Sequence, residues 1–273
     1  MIRRAADIFR AGGVAGLLRA TKSRMHVLLA KPAMSFLTYK NQFVGKAGIE
    51  VGGPSRVFSR RGIFPVYSLV EKLDNCNFSG TTLWEGLISQ GKNYQYDPGK
   101  PAGQQYVVEA TDMKGLPSNA YDFVLSSHML EHTANPILAL LEWKRLLKAG
   151  GMLVLLLPDG RRTFDHRRPI TPLVHLIDDF NAGTAEDDLT HLPEILALHD
   201  LERDPEAGDM AAFKSRSMHN FENRCMHHHV FDTQLAVALV EHVGLMVKAA
   251  EELRPHHILL VAQKCLPSNA AHL

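Results

Sequence analysis

Apolar residues in this chain alternate between short runs of strand length and longer stretches with helical spacing. Runs bounded by turn residues predict seven strands, at 48–51, 66–77, 106–108, 121–127, 152–157, 247–253 and 257–264. Helical spacing predicts helices over 136–147 and 235–243, the second capped by Asp232 and ended by Gly244. This alternation predicts an α/β fold built on a Rossmann-like sheet of seven mainly parallel strands.

The first predicted strand ends in a glycine turn that suits a ligand site. The residues there run Gly48-Ile49-Glu50-Val51-Gly52-Gly53-Pro54-Ser55. Two glycines allow the backbone to approach a ligand closely, and the first turn of a following helix offers free N–H groups. The carboxylate of Glu50 can accept hydrogen bonds from hydroxyl or ammonium groups. Tight connections without any ligand also use such turns, so the turn alone is a weak signal.

A second acidic residue, Asp74, follows the apolar part of the second predicted strand, 24 residues beyond Glu50. Dinucleotide-binding folds place a ribose-binding carboxylate at a similar distance, about 20 residues from their glycine motif. Ligands of open α/β sheets bind beyond the carboxyl ends of the strands. We therefore expect Glu50 and Asp74 to flank one crevice. Glu71 is the alternative acid, and a simple turn role for Asp74 is the alternative interpretation.

Three parts of the chain differ in organisation. Residues 1–42 are predicted to be a basic, helical N-terminal extension, in which apolar residues interleave with arginines. Such a helix can pack on the domain, contact a membrane surface or bind a partner protein, and a transit peptide has a similar composition. Residues 43–160 and 230–267 carry the strand pattern. Residues 161–229 interrupt it after the fifth strand, as a mostly helical or loop insertion.

Composition narrows the class of protein. The formal net charge of +1 argues against a nucleic-acid partner, and 45% hydrophobic with 22% charged residues is typical of a globular chain. The cysteines, Cys76, Cys225 and Cys265, are far apart, which argues against a disulfide framework and favours a cytoplasmic location. No apolar run reaches the roughly 18 residues that a membrane span needs. Residues 1–42 remain the candidate contact to a membrane or partner protein.

The most specific block of the sequence lies in its centre. It runs from Tyr121-Asp122-Phe123-Val124 through Leu130-Glu131-His132 to Leu146-Leu147-Lys148-Ala149-Gly150-Gly151. This block resembles the "fDvV…vLEH…vLkpGG" segment of class I S-adenosylmethionine-dependent methyltransferases of the type 11 kind. The resemblance covers residues 43–158 and 230–265. The glycine turn departs from the family pattern, because Pro54 and Arg56 stand where later glycines usually fall.

The resemblance implies S-adenosylmethionine as cofactor and a set of residues that bind it. In chain order these are Glu50, Gly52, Gly53, Asp74, Glu109, Ala110, Ser126, Ser127 and His128. The first three would lie along the methionine, and Asp74 would bind the ribose hydroxyls. Glu109 and Ala110 would flank the adenine, with Asp112 as the alternative acid. The last three would face the sulfonium, and 130–132 would be structural.

The insertion is expected to bind the methyl acceptor, because it leaves the fifth strand beside the cofactor. A hydroxyl acceptor must lose its proton, and a histidine is the usual base. His166, oriented by Asp165, is the first candidate, and His228 or His229 is the second.

Arg167 and Arg168 are candidates for holding a phosphate or carboxylate of the acceptor, with Asp159 as a further substrate contact. The alternative is that the two arginines are exposed and form ion pairs with nearby acidic side chains.

Three consecutive histidines, 227–229, suggest a metal site as one interpretation. On an extended segment His227 and His229 would face one way, and further ligands such as Asp165 or His166 would have to converge on them. Spacing alone does not specify such a site, so no metal site is predicted. Histidines that hydrogen-bond to carboxylates of the insertion are the alternative.

The acid- and histidine-rich insertion favours a polar acceptor such as a sugar hydroxyl or a glycan. Segments 75–79, 163–169 and 227–232 resemble bacterial methyltransferases that accompany glycosyltransferases. The competing functions are a metal-dependent hydrolase built on the histidines and a non-catalytic binding module. A dinucleotide oxidoreductase would need the G-x-G-x-x-G pattern, which residues 52–56 do not supply.

Overall fold

The computed structural model describes residues 31–266. The strands are β1 (Ala47–Val51), β2 (Lys72–Asn77), β3 (Thr81–Thr82), β4 (Gly86–Leu87), β5 (Gly91–Tyr94), β6 (Gly103–Val107), β7 (Tyr121–Ser127), β8 (Leu147–Pro158), β9 (Leu245–Leu253) and β10 (His257–Lys264). The helices are α1 (Met34–Tyr39), α2 (Pro136–Leu146), α3 (Leu173–Ala182), α4 (Leu192–Leu198), α5 (Met210–Met218), α6 (Asn220–Asn223) and α7 (Thr233–His242).

The predicted α/β fold is confirmed, with a large sheet in the order β5-β6-β2-β1-β7-β8-β10-β9. Strands β6, β2, β1, β7 and β8 run parallel, and β10 is antiparallel to both β8 and β9. The sheet has eight strands where seven were expected, because β5 adds an antiparallel edge strand beside β6. Only Tyr94 of its four residues is buried, so the sequence carries almost no strand signal there.

Two loop segments also differ from the expectation. The apolar residues 66–70, expected to begin the second strand, lie before β2 and still pack in the core, as Val66 and Val70 are fully buried. The sequence also suggests a short helix near Trp84, but this residue lies in the turn of the small β3–β4 hairpin. The first error arises because an apolar side chain signals burial, and burial does not require regular backbone.

The sheet has a hydrophobic core on each face. Along β8, Leu153, Leu155 and Leu157 belong to one core, while Val154 and Leu156 belong to the other. Successive side chains of a strand point to opposite faces, so a central strand covered on both faces must be apolar throughout. Most of the sheet is therefore closed to water, and polar side chains collect at its carboxyl end.

Helix α2 begins as the sequence predicts. The side chain of Asn135 caps it by accepting a hydrogen bond from the backbone N–H of Leu138, and Pro136 occupies the first turn. Trp143 and Leu146 bury its inner face against the sheet. The helix ends at Leu146, and β8 begins directly at Leu147.

The start of the described chain already packs on the domain. Ala33 and Phe36 are buried, and the rings of Phe36 and Phe64 meet edge to face at 5.3 Å. The backbone N–H of Ser35 donates to Glu251 of β9 at 2.7 Å. The domain therefore includes residues that we assigned to the 1–42 extension. Residues 1–30 of that extension lie outside the described part of the chain.

The insertion between β8 and α7 contains α3 to α6. Its own apolar core is small, formed by Ile195, Ala207, Phe213 and Met226. Many of its remaining buried side chains are histidines, arginines and acids, so polar contacts hold this part of the chain together. Within residues 31–266, no helix combines the length and the hydropathy needed to cross a membrane.

Gly48 on β1 tests the packing of the sheet. A Cβ there would lie 2.1 Å from the ring of Phe123, which is its neighbour on β7. Gly48→Ala should lower the free energy of unfolding by about 1–3 kcal/mol through overpacking, measured by chemical denaturation. Gly115→Ala is the matched control, because a Cβ there meets nothing within 4 Å. Equal stability of the two variants would contradict this packing.

Candidate functional site

A cavity of about 260 Å³ lies beyond the carboxyl ends of β1, β2, β6 and β7. Its walls come from those strand ends, the β3–β4 hairpin and the insertion. The lining residues are Val51, Gly52, Pro54, Ser55, Cys76, Asn77, Phe78, Thr82, Trp84, Glu85, Glu109, Ala110, Ser127, Met129, His132, Thr133, Glu186 and Arg224. This is the edge at which open α/β sheets bind ligands.

The glycine turn forms one wall of the cavity. Gly52 has φ of +82°, a left-handed conformation that favours glycine, and a Cβ there would meet the Met129 side chain at 3.0 Å. Gly53 donates its N–H to the side chain of Asn75 at 3.0 Å. The turn thus presents bare backbone to the cavity at Gly52, as the sequence predicts.

Glu50 lies beneath this turn and does not line the cavity. Its carboxylate accepts hydrogen bonds from the hydroxyls of Tyr67 and Tyr94, both at 2.6 Å, and from the N–H of Ser55 at 3.0 Å. Burial raises the pKa of Glu50, although the two hydroxyls and Ser55 act against it. A Cβ on Gly53 would lie 2.3 Å from the Glu50 carboxyl carbon. Glu50 therefore holds the turn in place from below.

Asp74 also lies outside the cavity, and the expected shared crevice with Glu50 is wrong. Asp74 sits in the middle of β2, which continues to Asn77, and it accepts hydrogen bonds from the N–H of Gln104 and the hydroxyl of Tyr121. In the parallel register it pairs with Ile49, one residue before Glu50. Because side chains alternate along strands, the two carboxylates point to opposite faces of the sheet.

Asn77 is the residue that ends β2 at the cavity. Its side-chain oxygen accepts a hydrogen bond from the side-chain nitrogen of Gln105 at 3.0 Å, which orients the amide. Glu85, on the hairpin, is a second polar group of the same wall. Burial raises the pKa of Glu85. Asn77 and Glu85 line the cavity, whereas Asp74, the predicted ribose contact, does not.

Four of the nine predicted cofactor-binding residues line the cavity, namely Gly52, Glu109, Ala110 and Ser127. Ser126 is fully buried, one residue earlier on β7. The ring of His128 turns towards β10, with Nε2 at 2.7 Å from Nδ1 of His257. Strand alternation accounts for the difference between the two neighbouring serines.

The insertion closes the cavity with an arginine that the sequence analysis missed. The guanidinium of Arg224 donates to Glu109 at 2.7 Å and lies 3.0 Å from a carboxylate oxygen of Glu186. It also lies over the ring of Phe78. Burial raises the pKa of Glu186 to about 7, against the charge of Arg224. No sequence spacing links Arg224 to Glu109, so only the fold brings these charges together.

His132 lines the cavity, although we expected 130–132 to be structural. Its Nδ1 lies 3.2 Å from the carbonyl oxygen of Met226 and donates to it, which leaves Nε2 as the acceptor. Burial lowers the pKa of His132 to about 4, so the ring is neutral at pH 7. The half-exposed ring of Trp84 lies 5.5 Å from it. In the sequence, the position of His132 at the cavity was indicated by its being a polar residue shortly after the carboxyl end of β7.

Asp165 orients a different histidine from the one expected. Its carboxylate lies 2.6 Å from Nδ1 of His227, and the His227 ring lies 4.6 Å from that of His132. Burial opposes a charge on His227, but the charge and hydrogen bond of Asp165 outweigh it and raise the pKa of His227. Asp165 and His227 thus form a hydrogen-bonded pair directly behind His132.

His166 and Arg167 do not line the cavity. Nε2 of His166 lies 2.8 Å from Asp200, and the half-exposed Arg167 lies 3.4 Å from the same carboxylate. His166 as base and Arg167 as acceptor contact therefore remain predictions, which the geometry of the cavity does not support.

Arg168 cannot serve as the expected anion-binding residue, because its donors are used inside the protein. Its side chain is 1% exposed and donates to Asp165, to Glu194 and to the carbonyls of His227 and His228. The arginine ties the start of the insertion to its end.

Asp159 is likewise buried and engaged. It accepts from Arg161 at 2.8 Å and lies 3.2 Å from Arg162. The substrate contacts assigned to Arg168 and Asp159 are therefore corrected to structural ion pairs.

His228 and His229 are buried behind the cavity wall. Nε2 of His228 lies 3.1 Å from the side-chain nitrogen of Asn220, and Nε2 of His229 lies 3.2 Å from the carbonyl oxygen of Ala134. Neither ring lines the cavity, so the structure does not place them as bases for an acceptor there.

Residues 65–155 match the family model described as a methyltransferase domain. Over these residues the chain is similar to methyltransferase domains, which supports the predicted S-adenosylmethionine cofactor. The match spans β2, β6 and β7, the helix α2 and most of β8, which include three of the four strands that end at the cavity.

Two solved structures are similar to this chain in fold. One is an S-adenosylmethionine-dependent methyltransferase from Mesorhizobium loti, with 12% identity, 84% of this chain and 95% of that chain covered, and a TM-score of 0.47. The other is a SAM-dependent methyltransferase from Methanosarcina mazei, with 15% identity, 87% and 100% covered, and a TM-score of 0.47. Comparison with curated proteins gives no significant match.

The residues of the cavity fit S-adenosylmethionine chemically. The bare turn at Gly52 admits a close ligand, and carboxylates, an amide and hydroxyls line the remaining wall beside apolar Met129 and Ala110. A nucleoside joined to an amino acid needs this mixture of polar and apolar contacts.

The depressed pKa of His132 makes stability depend on pH. The unfolded histidine takes up a proton near pH 6.5 and the folded one near pH 4. The contribution of His132 to the free energy of unfolding is therefore present above pH 6.5 and is lost as pH falls to 4. Replacing His132 with Gln should reduce the slope of unfolding free energy against pH in this window by up to about 1.4 kcal/mol per unit. Denaturation at a series of pH values measures it. His219→Gln, at an exposed position, is the control, and identical slopes would contradict a buried neutral His132.

Proposed function

We propose that this methyltransferase transfers a methyl group from S-adenosylmethionine to a hydroxyl of a polar acceptor, such as a sugar or glycan. The observation that carries the proposal is the cavity at the carboxyl ends of β1, β2, β6 and β7, with a neutral histidine in its wall. The cofactor supplies an electrophilic methyl group when it is bound. The protein supplies alignment and a place for the acceptor's proton.

The cofactor assignment follows the order of the strands. Gly52 and Ser127 line the part of the cavity proposed for the methionine. Asn77 and Glu85 take over the ribose contact assigned earlier to Asp74, because they lie at the end of β2 and on the hairpin above it. Ala110 marks the adenine end of the same cavity.

Arg224 and Glu109 close that end. Their ion pair joins the insertion to the loop after β6, so the insertion can fold over a bound nucleoside. An ion pair partly shielded from water holds more strongly than one in open solvent. The insertion would in this way contribute to cofactor retention as well as to acceptor binding.

Methyl transfer from a sulfonium is a displacement, so the positions of the reacting atoms dominate the rate. A hydroxyl acceptor must also lose its proton, and we assign this role to Nε2 of His132. The ring is oriented by the Met226 carbonyl and stays neutral at pH 7. The buried carboxylate of Glu131 favours the proton that His132 takes up. The acceptor class is inferred from Trp84, whose half-exposed ring beside His132 offers an apolar face to a sugar ring.

A cytoplasmic location remains part of the proposal, since Cys76, Cys225 and Cys265 are all free thiols. Contact with a membrane or a partner protein through residues 1–42 remains a prediction, because 1–30 lie outside the described residues.

Cofactor binding can be tested by filling the cavity. Ala110→Trp places an indole where the adenine is proposed to lie, and should weaken binding of S-adenosylhomocysteine by at least about 100-fold in calorimetry. Ala211→Trp, at an exposed position of α5, is the matched control and should bind as wild type does. Lack of binding to the wild-type protein would leave a non-catalytic module as the better interpretation.

The transfer chemistry can be tested with methyl-labelled S-adenosylmethionine and a panel of nucleotide sugars and methyl glycosides. For a methylated panel member, His132→Gln should lower the rate by at least about 100-fold, while affinity for S-adenosylhomocysteine changes little. His166→Gln should keep the wild-type rate, because His166 pairs with Asp200 outside the cavity. The opposite result would return the base to His166, and a panel without labelled products would remove the sugar assignment alone.

A further inference from the structure

A second cluster of polar side chains lies inside the insertion, behind the cavity wall. His175 and Asp179 stand four residues apart on one face of α3. His191 directly precedes α4, and His229 lies in the segment that leads to α7. One ligand-type nitrogen from each of the three rings lies within 4.8 Å of one from each of the others. None of the four residues lines the cavity.

The spacing of these atoms fits a tetrahedral metal. Nε2 of His175 lies 2.9 Å from Nε2 of His191 and 3.4 Å from a carboxylate oxygen of Asp179. The same Asp179 oxygen lies 3.7 Å from Nε2 of His229. Ligands held at 2.0–2.1 Å at the corners of a tetrahedron are about 3.3 Å apart. The observed separations therefore scatter around the edge length of a zinc site.

Hydrogen bonding within the described residues does not satisfy this cluster. Oδ2 of Asp179, Nδ1 of His191 and Nδ1 of His229 are all buried and have no hydrogen-bond partner there. His229 itself is 1% exposed. Leaving a buried polar atom unpaired costs about 1–3 kcal/mol, so Oδ2 of Asp179, which faces Nε2 of both His175 and His229, indicates a missing partner.

A carboxylate outside the cluster orients the His191 ring as metal sites require. The carboxylate of Asp188 lies 3.6 Å from Nδ1 of His191, on the side of the ring away from His175. Metal-binding histidines usually give their second nitrogen to a carboxylate or a carbonyl in this way. On His229 it is Nε2 itself that lies 3.2 Å from the Ala134 carbonyl oxygen, so a bound ion would displace that hydrogen bond.

We propose that His175, Asp179, His191 and His229 bind one divalent zinc ion, which holds the insertion together. Three imidazoles with one carboxylate suit zinc, whereas magnesium and calcium prefer oxygen ligands alone. The ion joins α3, the start of α4 and the segment before α7. Because the apolar core of the insertion is small, a bound ion would add to the stability of this part of the chain. The ring of His175 is 40% exposed, which provides an entry path.

The other candidate groups fit a metal less well. None of the ring nitrogens of His128, His256 and His257 is among the buried polar atoms that lack a hydrogen-bond partner in the described residues. His227 is committed to Asp165, and His132 to the carbonyl of Met226. The group of Asp188, His191 and His228 shares His191 with the proposed site, and here Asp188 serves to orient that ring.

The test is titration of the full chain, stripped with a chelator, with zinc chloride and with cobalt chloride. We expect about one equivalent of zinc by calorimetry and elemental analysis, and tetrahedral cobalt absorption. His191→Gln and Asp179→Asn should each weaken zinc binding by at least about 10-fold, as loss of a ligand demands. His166→Gln, a histidine outside the cluster, is the matched control and should bind zinc as wild type does.

Folding of the variants is checked separately. His175→Gln changes a partly exposed ligand and is the second variant if buried substitutions fail to fold. Binding of S-adenosylhomocysteine is measured in parallel, because it tests the methyltransferase proposal through a cavity that none of the four ligands lines. A wild-type chain without stoichiometric zinc, or full zinc affinity in His191→Gln and His175→Gln, would overturn the metal site.

Discussion

The carboxylate of Glu50, buried under the glycine turn, is the contact on which the ligand cavity depends. A buried carboxylate needs strong partners, and two tyrosine hydroxyls with one backbone N–H supply them. Those partners come from the loop after β1, the segment before β2 and the edge strand β5. Glu50 therefore connects three stretches of chain at one point and leaves Gly52 facing the cavity.

The insertion follows a different principle from the sheet. The sheet is held by apolar cores on both faces, whereas buried arginines and histidines hold the insertion. Arg168 ties its first turn to the histidine segment at its end, and Arg224 ties it to the loop after β6. Breaking one partner of a buried ion pair leaves an uncompensated charge, so these contacts restrict where the insertion can lie.

The consecutive histidines 227–229 show how one short segment acquires several roles. His227 pairs with Asp165 near the cavity, His228 packs against Asn220, and His229 faces the cluster on α3. His227 and His229 do not face the same way, as an extended segment would require, because the chain bends at His229. The cavity wall and the proposed zinc site are therefore coupled through adjacent peptide units, although they share no side chain.

The sequence by itself determined the α/β class, most strands, the helices α2 and α7, the position of the insertion and the glycine turn. Apolar periodicity and end signals are local, and a central parallel strand must be apolar, so β7, β8 and α2 could be predicted. The block at 121–151 likewise indicated the methyltransferase family. The polar edge strand β5 carried no such pattern.

Only the tertiary structure decided which polar residues meet in the cavity. One residue of register turns a side chain to the other face of a sheet, which separates Asp74 from Glu50 and Ser126 from Ser127. Arg168 and Asp159 resembled ligand-binding residues until their internal partners were known. His132, Asn77 and Arg224 reach the cavity through strand ends and an insertion that lie far apart in the chain. Contacts between distant residues leave no spacing in the sequence, so they appear only when the chain is folded.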